Sequence, residues 1–388
     1  MRFLHTADWH VGRAMRGRSR AEEHVAVLDE LAAIAAEHEV DAVLVCGDVF
    51  DTAAPTPEAE QIVYRGLLAL AGTGATVVVL AGNHDNDRRL QAVQPLLALG
   101  RVVVRPTFAG PDEAVVQVPS RDGRETMLVA ALPFLSQRYV VTADHLMRGE
   151  AATAAQTYEA RYRQLLEWLT AEFRADTVNV VAAHAFVKGS DAAGSERAAH
   201  LVEAYGVSAT AFPASCHYVA LGHLHRPQAV AGPCPIRYPG SPLQLDFGEA
   251  GEAKSVVVVD AAAGRPATTT LVPLTSGRQL VEVAGTLPEL AALADGLGST
   301  DDAFLKVRVR EAHRTGLADE VRSLFPGAVD VVVESPGAAA AGATGAGAPR
   351  LDGRSPSALF AAYLADQGVD DARLSALFEE LLDEVTVP

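Results

Sequence analysis

Five times in this 388-residue chain an apolar run ends and metal-capable side chains follow at once. FLHTA leads to Asp8 and His10, AVLVCG to Asp48, VVVLAG to Asn83-His84-Asp85, VNVVAA to His184, and YVALG to His223 and His225. Carboxylate, amide oxygen and imidazole suit hard or borderline divalent ions, and no thiolate takes part. Asp48 stands alone at its strand end and has two oxygens, so it is the natural bridge between two ions. His223 and His225 are two residues apart, which on an extended segment puts both imidazoles on one face. Two ions about 3.5–4 Å apart clamp and polarise a phosphate ester and activate a water. Each motif alone is commonplace; the five together, in this order and all at strand ends, make a site.

These residues need a scaffold that brings five strand ends to one crevice. In open α/β sheets, ligands bind beyond the carboxyl ends of the strands. The first half of the chain alternates β-rich runs (RFLHTA, DAVLVC, TVVVLA, RVVV) with helical spacing over 21–39, 57–71 and 88–99. TMLVAALPF, a helical stretch over 155–174, TVNVVAA and HYVAL follow, and then short β pieces separated by Gly/Pro turns. The pattern predicts an α/β fold: a β-sandwich flanked by helices over residues 1–277. A β-α-β-α-β unit is expected over 278–335. The Ala/Gly-rich stretch 336–350 reads as a linker. Amphipathic helices are expected over 351–388, where Leu374, Leu377, Phe378, Leu381, Leu382 and Val385 form one apolar stripe. Such faces either fold back on the protein or dock on a partner, and the preceding linker favours docking.

Composition sets the outer bounds. Charged residues make up 21% and hydrophobic residues 49%, as in globular proteins. No apolar run reaches the roughly 18–20 residues of a membrane span, and the start of the chain lacks a signal-peptide layout. Cys46, Cys216 and Cys234 are too scattered for a disulfide framework or a CxxC metal site. The net charge of −17, taken alone, argues against nucleic acid, because phosphate binding usually shows as a basic surplus. The local exception is VGRAMRGRSR, where Arg13, Arg16, Arg18 and Arg20 follow directly on His10.

The motif order DxH, GD, GNHD, H, GHxH resembles that of the calcineurin-like metallophosphoesterases. The stretches FLHTADWHVG, VDAVLVCGDVFDT, YVALGHLHRPQ and IRYPGSPLQLDF are most similar to one branch, the bacterial SbcD nuclease subunits. That resemblance implies Asp8, His10, Asp48 and His225 on one ion and Asp48, Asn83, His184 and His223 on the other. The ions implied are Mn2+ first, with Mg2+, Zn2+ or Fe compatible. It implies His84 facing the scissile phosphate, with Asp51 as its acidic partner. Asp85 is read as holding the loop backbone or a ligand. Arg13, Arg16, Arg18 and Arg20 would meet the DNA backbone, and the 278–335 unit would be a capping domain. The tail would dock on a coiled-coil ATPase of the SbcC type. The resemblance further implies a cytoplasmic, nucleoid-associated DNA repair complex. In it two nuclease subunits pair and join two ATPase subunits; the complex trims duplex ends 3′ to 5′ and cuts hairpin and single-stranded DNA. Two other classes share the metal motifs: a stand-alone phosphoesterase for small substrates and a non-catalytic scaffold on the same fold.

Overall fold

The structure, a computed structural model, describes residues 1–108, 110–136, 158–196, 206–296 and 303–334, and in the tail Phe360, Leu364, Arg373, Leu374, Leu377 and Phe378. The 336–350 linker and most of the expected tail helices lie outside the described residues.

Strands β1 (Arg2–Thr6), β2 (Ala42–Cys46), β3 (Thr76–Leu80) and β4 (Val102–Arg105) run parallel in that order. Helices α1 (Ala21–Glu37), α2 (Pro57–Gly72) and α3 (Asp87–Ala98) connect them. The C-terminal returns β11 (Ser255–Ala262) and β12 (Arg265–Pro273) extend this sheet antiparallel beside β1. The second sheet has the order β5-β6-β7-β8-β10-β9, built from β5 (Val115–Pro119), β6 (Thr126–Leu132), β7 (Val178–His184), β8 (Tyr218–Gly222), β9 (Gln228–Val230) and β10 (Ile236–Tyr238). Its strands β6, β7, β8 and β10 are mutually parallel.

Side-chain alternation assembles the layers. On β2, Leu44 and Cys46 face inward with Phe3, Val78, Val129, Val180 and Ala220, a core drawn from both sheets. Val43 and Val45 face the other way, onto Val27, Leu31, Val63, Leu67 and Leu70 of α1 and α2. The outer face of the second sheet is covered by Tyr162, Leu165, Leu166 and Leu169 of a helix over Tyr158–Thr170, here α4. Because β2 is buried on both faces, it reads as an unbroken apolar run. Turn chemistry fixes where the helices begin: Thr56 accepts from Ala59 N–H with Pro57 behind it, and Asn86 accepts from Arg89 N–H. Asn86 starts α3 one residue after Asp85, so the GNHD turn has nowhere to extend.

A third sheet of three parallel strands, β13 (Gln279–Gly285), β14 (Ala303–Val309) and β15 (Ala328–Val333), packs under α5 (Leu287–Gly296) and α6 (Leu317–Leu324). It meets the sandwich through Met15, Phe247, Leu280 and Phe304. This joint overturns part of the expectation for the basic loop. Arg20 is only 2% exposed; it donates to Glu23 and to the Gln244 carbonyl, and its guanidinium lies 5.4 Å from the Phe304 ring centroid. Arg16 is paired with Asp330 at 3.0 Å and Asp246 at 3.4 Å. Sequence showed a run of four arginines, but the loop sits between two carboxylate-bearing surfaces, so two of the four serve the joint. Arg18 is exposed and Arg13 half-buried. Among the described residues, no helix is long and apolar enough to cross a membrane.

Candidate metal centre

All five ligand-bearing segments end at the same edge of the sandwich. Asp8 and His10 follow β1, Asp48 follows β2 and Asn83 follows β3, on three neighbouring strands of the first sheet. His184 closes β7, and His223 and His225 follow β8, on two neighbouring strands of the second. Cross-sheet hydrogen bonds lock the two edges together. The His223 amide donates to both oxygens of Asp8 at 3.0 and 3.1 Å, and His184 Nδ1 donates to the Cys46 carbonyl at 2.8 Å.

The backbone is held in an unusual state here. Asp8, His10, Asp48 and His223 all have positive φ (55°, 46°, 52° and 108°). Such residues persist only where their surroundings over-determine them, and they gather at functional sites. Glycine makes the close approach possible. A Cβ on Gly82 would lie 2.1 Å from Asp48 Oδ1, and one on Gly222 would lie 1.9 Å from the Cys46 carbonyl.

The donor atoms fall into two groups. Asn83 Oδ1 lies 3.0 Å from His184 Nε2 and 2.9 Å from His223 Nδ1, and those two nitrogens are 3.3 Å apart. His10 Nε2 lies 3.1 Å from His225 Nε2. Asp48 Oδ2 stands between the groups, 3.6 Å from His10 Nε2 and 3.5 Å from His184 Nε2. Asp8 lies within ligand-sharing distance of both His225 and His184. Ligands about 2.0–2.2 Å from a common ion are separated by about 3.0–3.5 Å, so this donor set fits two divalent ions.

The electrostatics lead to the same conclusion. Burial pushes Asp8 up to about 7 and His10 down to about 4. For His184, burial disfavours the charged form, but the Asp48 charge and hydrogen bond outweigh it and raise the imidazole to about 9. For Asp48, burial opposes ionisation and the charge and hydrogen bond of His184 overcome it, holding the carboxyl well below the usual range. In the metal-free fold the Asp8 carboxyl and the His184 imidazole thus hold their protons to higher pH than usual, and divalent ions would displace them.

The remaining polar residues have separate roles. His84 Nδ1 donates to the main-chain carbonyl of Asp51 at 2.7 Å, and the His84 ring meets His10 edge to face at 4.6 Å. The expectation that the Asp51 side chain steadies His84 needs correcting. That carboxylate faces His10 Nδ1 at 3.3 Å and Arg13 at 3.2 Å, because the turn after Asp48 presents its carbonyl to His84. His84 also shares a cluster with His10 and Asp48. Asp85 accepts from the amides of Gly82, Phe50 and Val49 at 2.8, 2.9 and 3.3 Å, so it ties the GNHD turn to the turn after β2. Sequence reasoning missed Ser195, Glu196, Glu249 and Lys254, which surround His225, and Phe134, whose ring stacks on His223 at 6.1 Å. Ser195 and Glu196 lie in GSERAAH, eleven and twelve residues after His184, and Glu249 lies three residues past LQLD.

A two-sheet sandwich with carboxylate, amide and imidazole donors converging at the strand ends defines a calcineurin-like phosphoesterase. The pattern of the family described as "Calcineurin-like phosphoesterase" matches residues 1–227. The chain is 39% identical over 341 residues to the SbcD subunit of the nuclease SbcCD of Bacillus subtilis, covering 85% of each chain. Its counterpart of the same name in Rhodobacter capsulatus is 35% identical over 315 residues (78% of this chain, 77% of the relative). The one in Escherichia coli K12 is 34% identical over 273 residues (68% and 66%). The chain belongs to the calcineurin-like phosphoesterases and, within them, to the SbcD family; it is a metal-dependent phosphoester hydrolase of nuclease type.

Proposed function

We propose that this chain is the Mn2+-dependent nuclease subunit of an SbcCD-type DNA repair complex, acting 3′ to 5′ on duplex ends and cutting hairpin and single-stranded DNA. The observation that carries the reading is Asp48 Oδ2 standing between two donor groups at 3.6 and 3.5 Å. Asp8, His10, Asp48 and His225 would hold one ion, and Asp48, Asn83, His184 and His223 the other. When bound, the two ions supply Lewis-acid polarisation of the phosphate and activation of the attacking water. His84 donates Nδ1–H to the Asp51 carbonyl, and as the imidazolium it would present Nε2–H to stabilise or protonate the departing oxygen. For the Asp51 carboxylate, burial opposes ionisation, but the His10 hydrogen bond and charge outweigh it and draw it down to about 2. In that ionised form it orients the His10 ring and holds Arg13 at the rim.

Arg18 and Arg13 are the remaining basic-loop candidates for the DNA backbone, and the 278–335 unit would cap the cleft. Pairing of two copies is supported by an apolar surface at Leu68, Leu96 and Leu99, of which Leu96 and Leu99 are 70% and 86% exposed. Docking of 351–388 on the ATPase is supported by Phe360 stacked on Phe378 at 4.1 Å while Leu374 and Leu377 stay exposed. Seven acidic residues and one arginine over 355–388 suit a basic partner surface. A cytoplasmic, nucleoid-associated location follows from such a complex.

The test is digestion of end-labelled duplex and hairpin DNA with Mn2+, with and without the ATPase partner and ATP. Shortening from the 3′ ends and hairpin opening are expected, both stimulated by partner and ATP. Turnover of a nucleotide monoester without DNA cleavage overturns the reading. A chain ending at residue 350 should still cleave DNA but no longer co-purify with the ATPase.

A further inference from the structure

Beside the donor groups lies a fully buried carboxylate that no strand-end motif announces. Glu249 ends the short turn Phe247–Glu249, and its side chain is closed off from solvent. Its Oε2 accepts from Lys254 Nζ at 2.6 Å and from the Leu245 amide at 3.1 Å. Its Oε1 accepts from the Ser195 hydroxyl, and Ser195 Oγ lies 2.5 Å from His225 Nδ1. Lys254 Nζ also donates to the His225 carbonyl at 3.0 Å, which closes a ring of contacts around this one histidine.

The proton positions in this chain of groups follow from its chemistry. An ionised carboxylate can only accept, and a hydroxyl has a single proton to give. Ser195 therefore donates to Glu249 and must accept from Nδ1–H of His225. That leaves His225 Nε2 without a proton, and Nε2 is the atom 3.1 Å from His10 Nε2. The ammonium of Lys254 offsets the cost of keeping the carboxylate charged in a buried position. We infer that Glu249 is a positioning residue: through Ser195, and held by Lys254, it fixes the tautomer and direction of His225 so that Nε2 serves the metal centre. This rests on the reading of His225 as a ligand. Outer partners of metal-bound imidazoles commonly set affinity in this way.

The joint with the third sheet uses the other side of the same turn. Phe247 packs with Met15, Leu280 and Phe304, and Lys306 Nζ lies 5.6 Å from its ring centroid. Glu249 is thus held on a turn anchored at both ends.

Glu249→Gln keeps size and shape but lets an NH2 group face Ser195, with the amide oxygen turned to Lys254. Ser195 would then donate to Nδ1, and Nε2 would carry the proton. The experiment is a Mn2+ titration of the full-length chain followed by electron paramagnetic resonance, with 15N-histidine NMR of the metal-free protein reading the His225 tautomer. Expected are two ions in the parent, one of them bound about 10–100-fold more weakly in Glu249→Gln, and a switch of His225 from Nδ1–H to Nε2–H. Ser195→Thr should retain parental affinity and Ser195→Ala should lose it at the same ion, which covers the case in which Glu249→Gln does not fold. Unchanged affinity and tautomer in a folded Glu249→Gln variant, or unchanged affinity in Ser195→Ala, overturns the inference. His225→Asn separates the two levels: if it too leaves both ions in place, the ligand assignment of His225 is what fails.

Discussion

Arg20 and Arg18 stand two residues apart in one basic loop, and the structure predicts opposite consequences for their removal. Truncating Arg20 to alanine removes a charge-assisted bond to Glu23 (2.7 Å), a bond to the Gln244 carbonyl and the guanidinium packed on Phe304. Hydrogen bonds to charged groups are worth about 1.5–3 kcal/mol, an ordinary one about 1, and a desolvated cation–π contact about 1–2. Losses at one site overlap, so the expected destabilisation is about 4 kcal/mol, a large part of a typical stability margin of about 5–15 kcal/mol. Glu23 also accepts from the Arg278 amide, where the chain enters the third sheet, so the loss should loosen that joint as well. Arg18→Ala should change stability by less than about 0.5 kcal/mol and weaken DNA binding, reducing the salt dependence of affinity by about one unit. Urea unfolding and DNA binding at several salt concentrations measure both. A stable Arg20→Ala variant with selectively impaired DNA binding would refute the assignment of Arg20 to the joint.

His84→Ala should retain two Mn2+ by titration while cleavage falls about 10²–10⁴-fold; loss of an ion would put His84 in the ligand set with His10 and Asp48. Metal removal should show a characteristic pH dependence. In the metal-free fold Asp8 rises from 3.8 to about 7, chiefly through burial, and His184 from 6.5 to about 9, where Asp48 overcomes burial. A group raised on folding contributes stability below its unfolded pKa and loses it as pH climbs through the folded value. Below about pH 6.5 this loss is offset by buried His10 and His24, both lowered to about 4, so the chelated protein should melt at progressively lower temperature from about pH 6.5 to pH 9, while Mn2+-saturated protein should not; parallel profiles would count against the raised pKa of Asp8 and His184. Gly222→Ala would put a methyl 1.9 Å from the Cys46 carbonyl that orients His184. It should cost about 3 kcal/mol or more, and an unchanged urea midpoint would contradict the close approach.

The strands and helices that carry the donors were legible because burial writes itself into local pattern. β2 is buried on both faces and reads as a continuous apolar run, while α1 and α2 show helical spacing. Strand β5, VVQVP, escaped notice: five residues with alternating burial, next to a proline, give a weak period-two signal. At the site, the strand-end donors were legible because each motif is contiguous. The partners of His225 were not, since Ser195 comes from one segment and Glu249 and Lys254 from another, and they meet His225 only through the fold. Arg20 looked like its neighbours because burial of a charged side chain depends on what packs over it, here Phe304 from the third sheet. The Asp51 contact to His84 runs through a carbonyl, which no side-chain pattern encodes.

The glycines beneath the donors constrain the chain independently of its chemistry. Gly47, Gly82 and Gly222 each sit where one added carbon would strike an atom of the opposite or neighbouring strand end: His184 Nδ1 at 2.3 Å, Asp48 Oδ1 at 2.1 Å and the Cys46 carbonyl at 1.9 Å. All three positions also collide with backbone: Gly82 would meet the Asp48 amide nitrogen at 2.4 Å, Gly47 the Gly82 amide nitrogen at 2.9 Å with its own φ at 88°, and Gly222 the Cys46 carbonyl. A descendant that had lost every metal ligand would therefore still need all three glycines to close its sandwich. Drift away from activity would thus leave the three glycines standing after the ligands had gone, and a sequence retaining them alone would be evidence for the fold and silent about catalysis.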